Sequence, residues 1–191
     1  MADIVEFDTR QGPIDGMHIV TMKQVTDERG TIRELFRASA FTAVGLDIGA
    51  FTQINVTESR YGAVRGMHAE ETAKLVAVAS GEAFGVYVDL RADSPTRGEI
   101  DTVLLHAGVQ VLVPPGIANG FQSLSHPCQY VYCFDIEWQP GMPGRACTPL
   151  DPALAPLWPV HIDADEPTQI SAKDATAPTL DDVWAEMGVA P

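Results

Sequence analysis

What most limits the folding of this chain is its rhythm: short apolar segments broken by Gly, Pro or Asp at intervals of roughly ten residues. Residues 73–79, 83–90, 110–113 and 129–136 are rich in Val, Leu, Tyr and Phe, and each ends in turn-forming residues. No amphipathic helix of 10–15 residues recurs between them, as alternating β and α units would require. The rhythm predicts an antiparallel all-β sandwich or barrel with a few short peripheral helices. Residues 38–44 suit a short helical turn. Thr179-Leu-Asp-Asp182 has the form of a capping box opening a helix that runs to Met187. Residues 160–178 are acidic and proline-dotted, so residues 160–191 read as a peripheral C-terminal arm on one domain spanning 1–191. A chain of 191 residues suffices for one well-buried core.

Charge narrows the partners. Asp and Glu number 26 against 12 Lys and Arg, a net charge of −14, which argues against a nucleic-acid-binding face. No apolar run nears the roughly 20 residues of a membrane span. Residues 1–9 carry Asp3, Glu6 and Asp8, unlike a secretory leader. Cys128, Cys133 and Cys147 lack metal-ligand spacing and cannot all pair, which fits reduced thiols in the cytoplasm.

Two glycine-bounded segments have the shape of the paired cupin motifs. The first begins Gly62-Ala-Val-Arg-Gly-Met-His68-Ala-Glu70 and closes at Gly81. The second runs from Gly108 through Pro114-Pro-Gly116 to Asn119. Metal-binding cupins present His-x-His and a later Glu from the first motif and a His from the second. Residues i and i+2 of a strand share a face, so His-x-His aims two imidazoles inward. Here those positions carry His68 and Glu70, and the last donor is the neutral amide of Asn119, a poor set for a borderline metal. No metal or other cofactor is expected. His18, His106, His126 and His161 lack charged company of this kind and read as surface or structural.

In order along the chain stand Asp27-Glu-Arg29-Gly30 with Glu34-Leu-Phe36; Gln53-Ile-Asn55; Arg65-Gly-Met-His68; and Lys74-Leu-Val. Then follow Val88-Asp-Leu-Arg91 with Ser94-Pro-Thr96; Pro114-x-Gly116 through Gly120-Phe121; Tyr132; and Asp151-Pro leading to Trp158-Pro159. This series resembles the dTDP-4-dehydrorhamnose 3,5-epimerase family. The resemblance implies a cupin jelly roll, a homodimer exchanging N-terminal strands, no cofactor, and a nucleotide-linked 4-keto-6-deoxy sugar as substrate, most simply dTDP-linked.

Epimerisation beside a ketone needs a base, an acid on the opposite face and a group that steadies the enolate oxygen. His68 suits the base, because imidazole titrates near neutrality. By resemblance Asp151 orients it, Tyr132 is the acid and Lys74 lies near the ketone oxygen. Arg29 and Arg65 would face the diphosphate, Gln53 and Asn55 the nucleotide and sugar, and Glu34 the nucleotide across the dimer. The sequence departs from the family at Asn119, where a His is usual, at Ala69-Glu70, where an aromatic-Gln pair is usual, and at Trp138, where a second Tyr is usual. Only five residues separate His68 from Lys74, a shortened loop. These departures leave open inversion at C3, at C5 or at both. A related cupin isomerase or mono-epimerase with a different substrate, and a metal-dependent cupin, are the alternative readings.

Overall fold

The computed structural model describes residues 2–46 and 48–189. In chain order the strands are β1 (Asp3–Val5), β2 (Asp8–Gln11), β3 (His18–Thr21), β4 (Gln24–Asp27), β5 (Gly30–Arg33), β6 (Gln53–Ser59) and β7 (Val64–Glu70). After them come β8 (Lys74–Ser80), β9 (Glu82–Asp89), β10 (Ile100–His106), β11 (Val109–Val113), β12 (Ile117–Ser123), β13 (Cys128–Phe134) and β14 (Gly144–Ala146). Three short helices join them: α1 (Ala38–Ala43), α2 (Ala172–Ala175) and α3 (Leu180–Met187). The antiparallel all-β architecture read from the turn rhythm is what forms, in agreement with the jelly roll that the resemblance implies.

The strands build a five-stranded sheet ordered β10-β9-β12-β7-β14 and a six-stranded sheet ordered β2-β3-β11-β8-β13-β6, every pairing antiparallel. Alternation along each strand sorts its side chains into layers. On β8, Val76 and Val78 turn into the space between the sheets while Leu75 and Ala77 turn outward. The inner layer also holds Tyr87, Phe121 and Tyr130, and the last two stack at 3.8 Å between ring centroids. Phe41 of α1, with Phe36 and Phe51 beside it, covers the outer face of the six-stranded sheet.

The C-terminal arm covers the outer face of the other sheet. Ile162, Ile170, Leu180, Val183 and Trp184 pack against Val64, Met67, Val86 and Val88. The segment read from composition as peripheral therefore contributes to a second core. Its polar residues face solvent, and its apolar ones are spaced too irregularly to show a period. The expected capping box is present at α3: Thr179 and Asp182 bond reciprocally, and Gly188 ends the helix in the left-handed region.

A third sheet, β1-β4-β5, forms a separate ribbon. Among the described residues no helix is long and apolar enough to cross a membrane. All three cysteines are buried and unpaired.

Candidate active site

One irregularity in β7 decides what the barrel can hold. Opposite β12, His68 pairs with Asn119 and Arg65 pairs with Phe121, so three steps on β7 match two on β12. The extra residue makes a β-bulge, which re-aims the strand. Regular alternation would put Arg65 and His68 on opposite faces; the bulge turns both into the barrel. Gly66 makes the bulge possible. Its φ is +131°, and a Cβ there would come within 2.5 Å of Gly120 Cα.

The cavity at this end of the barrel encloses about 460 Å³. Its chemistry comes from both sheets. His68, Arg65 and Glu70 descend from β7 and Asn119 from β12, while Lys74, Tyr132 and Asn55 rise from β8, β13 and β6. His68 and Tyr132 thus approach the cavity from opposite walls.

His68 Nε2 lies 2.8 Å from Asp174 Oδ1, the two side chains being 35% and 10% exposed. Asp174 is held in turn: Ser171 caps α2 by accepting the Asp174 backbone N–H at 3.1 Å. Burial alone would raise the Asp174 carboxyl, yet its bonds to His68 and Ser171 hold it below the ordinary value. An imidazole is thus hydrogen-bonded to a carboxylate held below its ordinary pKa, the geometry a base–orienter pair requires.

Asp151, expected to orient His68, does not reach the cavity. Its two oxygens accept the backbone N–H groups of Ala153 at 2.8 Å and Leu180 at 2.7 Å, tying the start of α3 to the loop after β14. It is a structural anchor. The carboxylate that contacts His68 is Asp174 of the arm, 23 residues later in the chain.

Tyr132 packs among Tyr130 and Phe134, with ring centroids 4.8 and 6.0 Å away. Burial pushes its phenol well above the usual value, opposed by nearby Arg65. A phenol kept protonated is suited to donating a proton. Its hydroxyl has no hydrogen-bond partner among the described residues.

Lys74 is buried and bonded to the Glu70 carboxylate, to Asn119 Oδ1 at 2.5 Å and to the His68 carbonyl at 3.3 Å. Gln53 stands just behind the lining, accepting the Trp138 N–H at 2.8 Å and donating to Asn55 Oδ1 at 3.1 Å. Trp138 lines the cavity and is 47% exposed.

Two expected ligands lie elsewhere. Arg29 sits on the β4–β5 turn, fully exposed and bonded to Asp27 at 2.6 Å; Glu34 follows β5 and pairs with Arg37. Neither lines the cavity of its own chain. Conversely, Ser171, Lys173 and Asp174 line the cavity without having been singled out in the sequence. The usable signal was Ser171-x-x-Asp174, an N-cap pattern that nucleates a turn inside an otherwise irregular acidic stretch. Among the described residues no group of three or more His, Cys, Asp or Glu side chains is placed to hold a metal ion.

Residues 11–182 match the dTDP-4-dehydrorhamnose 3,5-epimerase family. The chain belongs to that family. It is 33% identical to the dTDP-4-dehydrorhamnose 3,5-epimerase of Mycobacterium tuberculosis, over 92% of this chain and 89% of the relative. It is 35% identical to a dTDP-4-dehydro-6-deoxyglucose 3-epimerase of Streptomyces bikiniensis, covering 81% and 80%. Among solved structures it superposes on NovW, a 4-keto-6-deoxy sugar epimerase from the novobiocin biosynthetic gene cluster of Streptomyces spheroides. That match has a TM-score of 0.85 at 29% identity, covering 98% of this chain and 94% of NovW. Family membership makes the chain an isomerase, and double and single epimerases stand at similar distance from it.

Proposed function

We propose that this epimerase inverts a carbon beside the ketone of a dTDP-linked 4-keto-6-deoxy sugar, with His68 as base and Tyr132 as acid. The observation that carries this reading is the opposed pair: an imidazole oriented by Asp174 on one wall and an unpartnered, protonated phenol on the other. His68 takes the C–H proton, and the electrons left behind pass into the carbonyl as an enolate. Tyr132 then gives its proton to the opposite face of the same carbon, inverting it. The imidazolium and the phenolate return to their starting states by proton exchange with solvent.

The substrate class has electrostatic support. Glu70 neutralises Lys74, which leaves Arg65 and Lys173 as the cavity's permanent cations without an ion-pair partner among the described residues. Two cations at the wall of a protein of charge −14 suit a diphosphate. The outward placement of Arg29 and Glu34 supports a homodimer in which each ribbon reaches the partner's cavity. Exposed Ile4, Ile32, Ile54 and Val56 supply apolar surface for such contact. Three unpaired thiols fit a cytoplasmic setting.

The test is incubation with dTDP-4-keto-6-deoxyglucose in D₂O, following deuterium by NMR. Label at C3 and C5 marks a double epimerase, and label at one carbon marks a mono-epimerase. Tight nucleotide-sugar binding without exchange at either carbon refutes the reaction while leaving the fold untouched.

A further inference from the structure

The best-placed cation of the site is also its least available one. An ammonium has three N–H donors and no acceptor. Those of Lys74 have three acceptors in reach: the Glu70 carboxylate across the β7–β8 hairpin, Asn119 Oδ1 and the His68 carbonyl. Burial alone would raise the Glu70 carboxyl, but Lys74 beside it more than offsets this and holds it below its usual range. Burial in turn draws the Lys74 ammonium below its ordinary value, opposed by the Glu70 carboxylate, and with these three acceptors engaged no N–H of Lys74 remains for a substrate oxygen.

The same chemistry orients Asn119. Because Lys74 only donates, the amide oxygen must turn toward it, so the NH₂ turns away. Asn119 lies directly opposite His68 in the β7–β12 pairing and lines the cavity. Its NH₂ has no partner among the described residues. We propose that the Asn119 NH₂, backed by Lys74, is the donor that holds the enolate oxygen in this enzyme, and that Glu70 fixes the arrangement by occupying the ammonium. The charge of Lys74 is thus felt through an amide dipole rather than delivered directly. The assignment rests on the epimerase reading above and deepens it, making Asn119 a catalytic residue and Glu70 a positioning residue.

Two variants test it with the dTDP-4-keto-6-deoxyglucose exchange assay. Asn119→Asp keeps the size and the acceptor toward Lys74 but replaces the donor by a carboxylate oxygen. Losing a donor of this type costs about 10²- to 10³-fold in kcat, with KM moving much less. Asn119→His retains an N–H donor and is expected to stay within about tenfold of wild type, the lower end of a positioned group's worth. Asn119→Ala, whose side chain has no donor, replaces the aspartate variant in the comparison if the latter is too unstable to purify. Exchange by Asn119→Asp within threefold of wild type, or equal losses in the donor-keeping and donor-lacking variants, overturns the proposal while the epimerase reading stands. A wild-type protein that binds but does not exchange overturns both.

Discussion

Replacing Asp174 by Asn leaves the shape of the site intact and removes one charge from it. The 2.8 Å contact to His68 is a charge-assisted hydrogen bond, and such bonds contribute about 1.5–3 kcal/mol. If that energy supports the imidazolium formed as the proton leaves carbon, kcat falls about 10- to 150-fold. KM is expected to hold, because Asp174 meets the substrate only through His68. Asp151→Asn is the control. Its amide can accept only one of the two N–H groups from Ala153 and Leu180. Leaving one buried donor unmet costs about 1–3 kcal/mol. At about 2–4 °C per kcal/mol for a chain of this length, Tm drops roughly 2–12 °C while exchange by the folded enzyme is preserved. Both proteins are assayed by deuterium exchange and thermal unfolding. A reversed pattern, with Asp151→Asn folded but inactive and Asp174→Asn fully active, would refute the orienter assignment.

Three other outcomes follow from the geometry. Tyr132→Phe keeps the ring packing but loses the acid, so kcat falls about 10²- to 10⁴-fold while calorimetry still registers substrate binding. Gly66→Ala forces a Cβ to within 2.5 Å of Gly120 Cα at a φ of +131°. Soluble protein should be scarce, and any recovered should lack exchange; a stable, active variant contradicts the need for glycine at the bulge. Asp89, bonded to Arg91, Ser94 and Thr96, is held from 3.8 down to about 2. Its depressed value stabilises the fold above the unfolded value of 3.8, and that contribution is lost as pH falls toward 2. The shift corresponds to about 1–2 kcal/mol after discounting for solvent screening. In urea titrations the gap between wild type and Asp89→Asn should therefore be widest at pH 7, about half as wide at pH 3, and smaller still as pH nears 2.

The fold was legible because its signals are local. Turn residues set the strand lengths, and alternation within each strand then chose the faces, so residues 73–79 and 129–136 could be placed with no knowledge of their partners. His68 and Asn119 were legible from the two glycine-bounded motifs, whereas Lys74 and Tyr132 were singled out only by resemblance to the family. Asp174 was not legible. It is one carboxylate among 26 acidic residues, and only the packing of Ile162, Ile170 and Trp184 against β7 and β9 brings it to His68. Asp151 misled because a carboxylate beside a proline says nothing about which donors it will meet; two backbone N–H groups claimed it. Arg29 and Glu34 belong to a ribbon that one chain alone leaves outside its cavity.

The placement of Asp174 on the arm has a consequence for how the enzyme fails. The barrel closes through strands that end by Ala146, whereas the carboxylate bonded to His68 belongs to the cover that follows them in the chain. Loosening the cover would silence proton transfer while the strand pairings and the interior aromatic stack remain in place. Gentle denaturation should accordingly yield a barrel-shaped, catalytically mute species, in which vanished turnover precedes any change in the β-sheet spectrum.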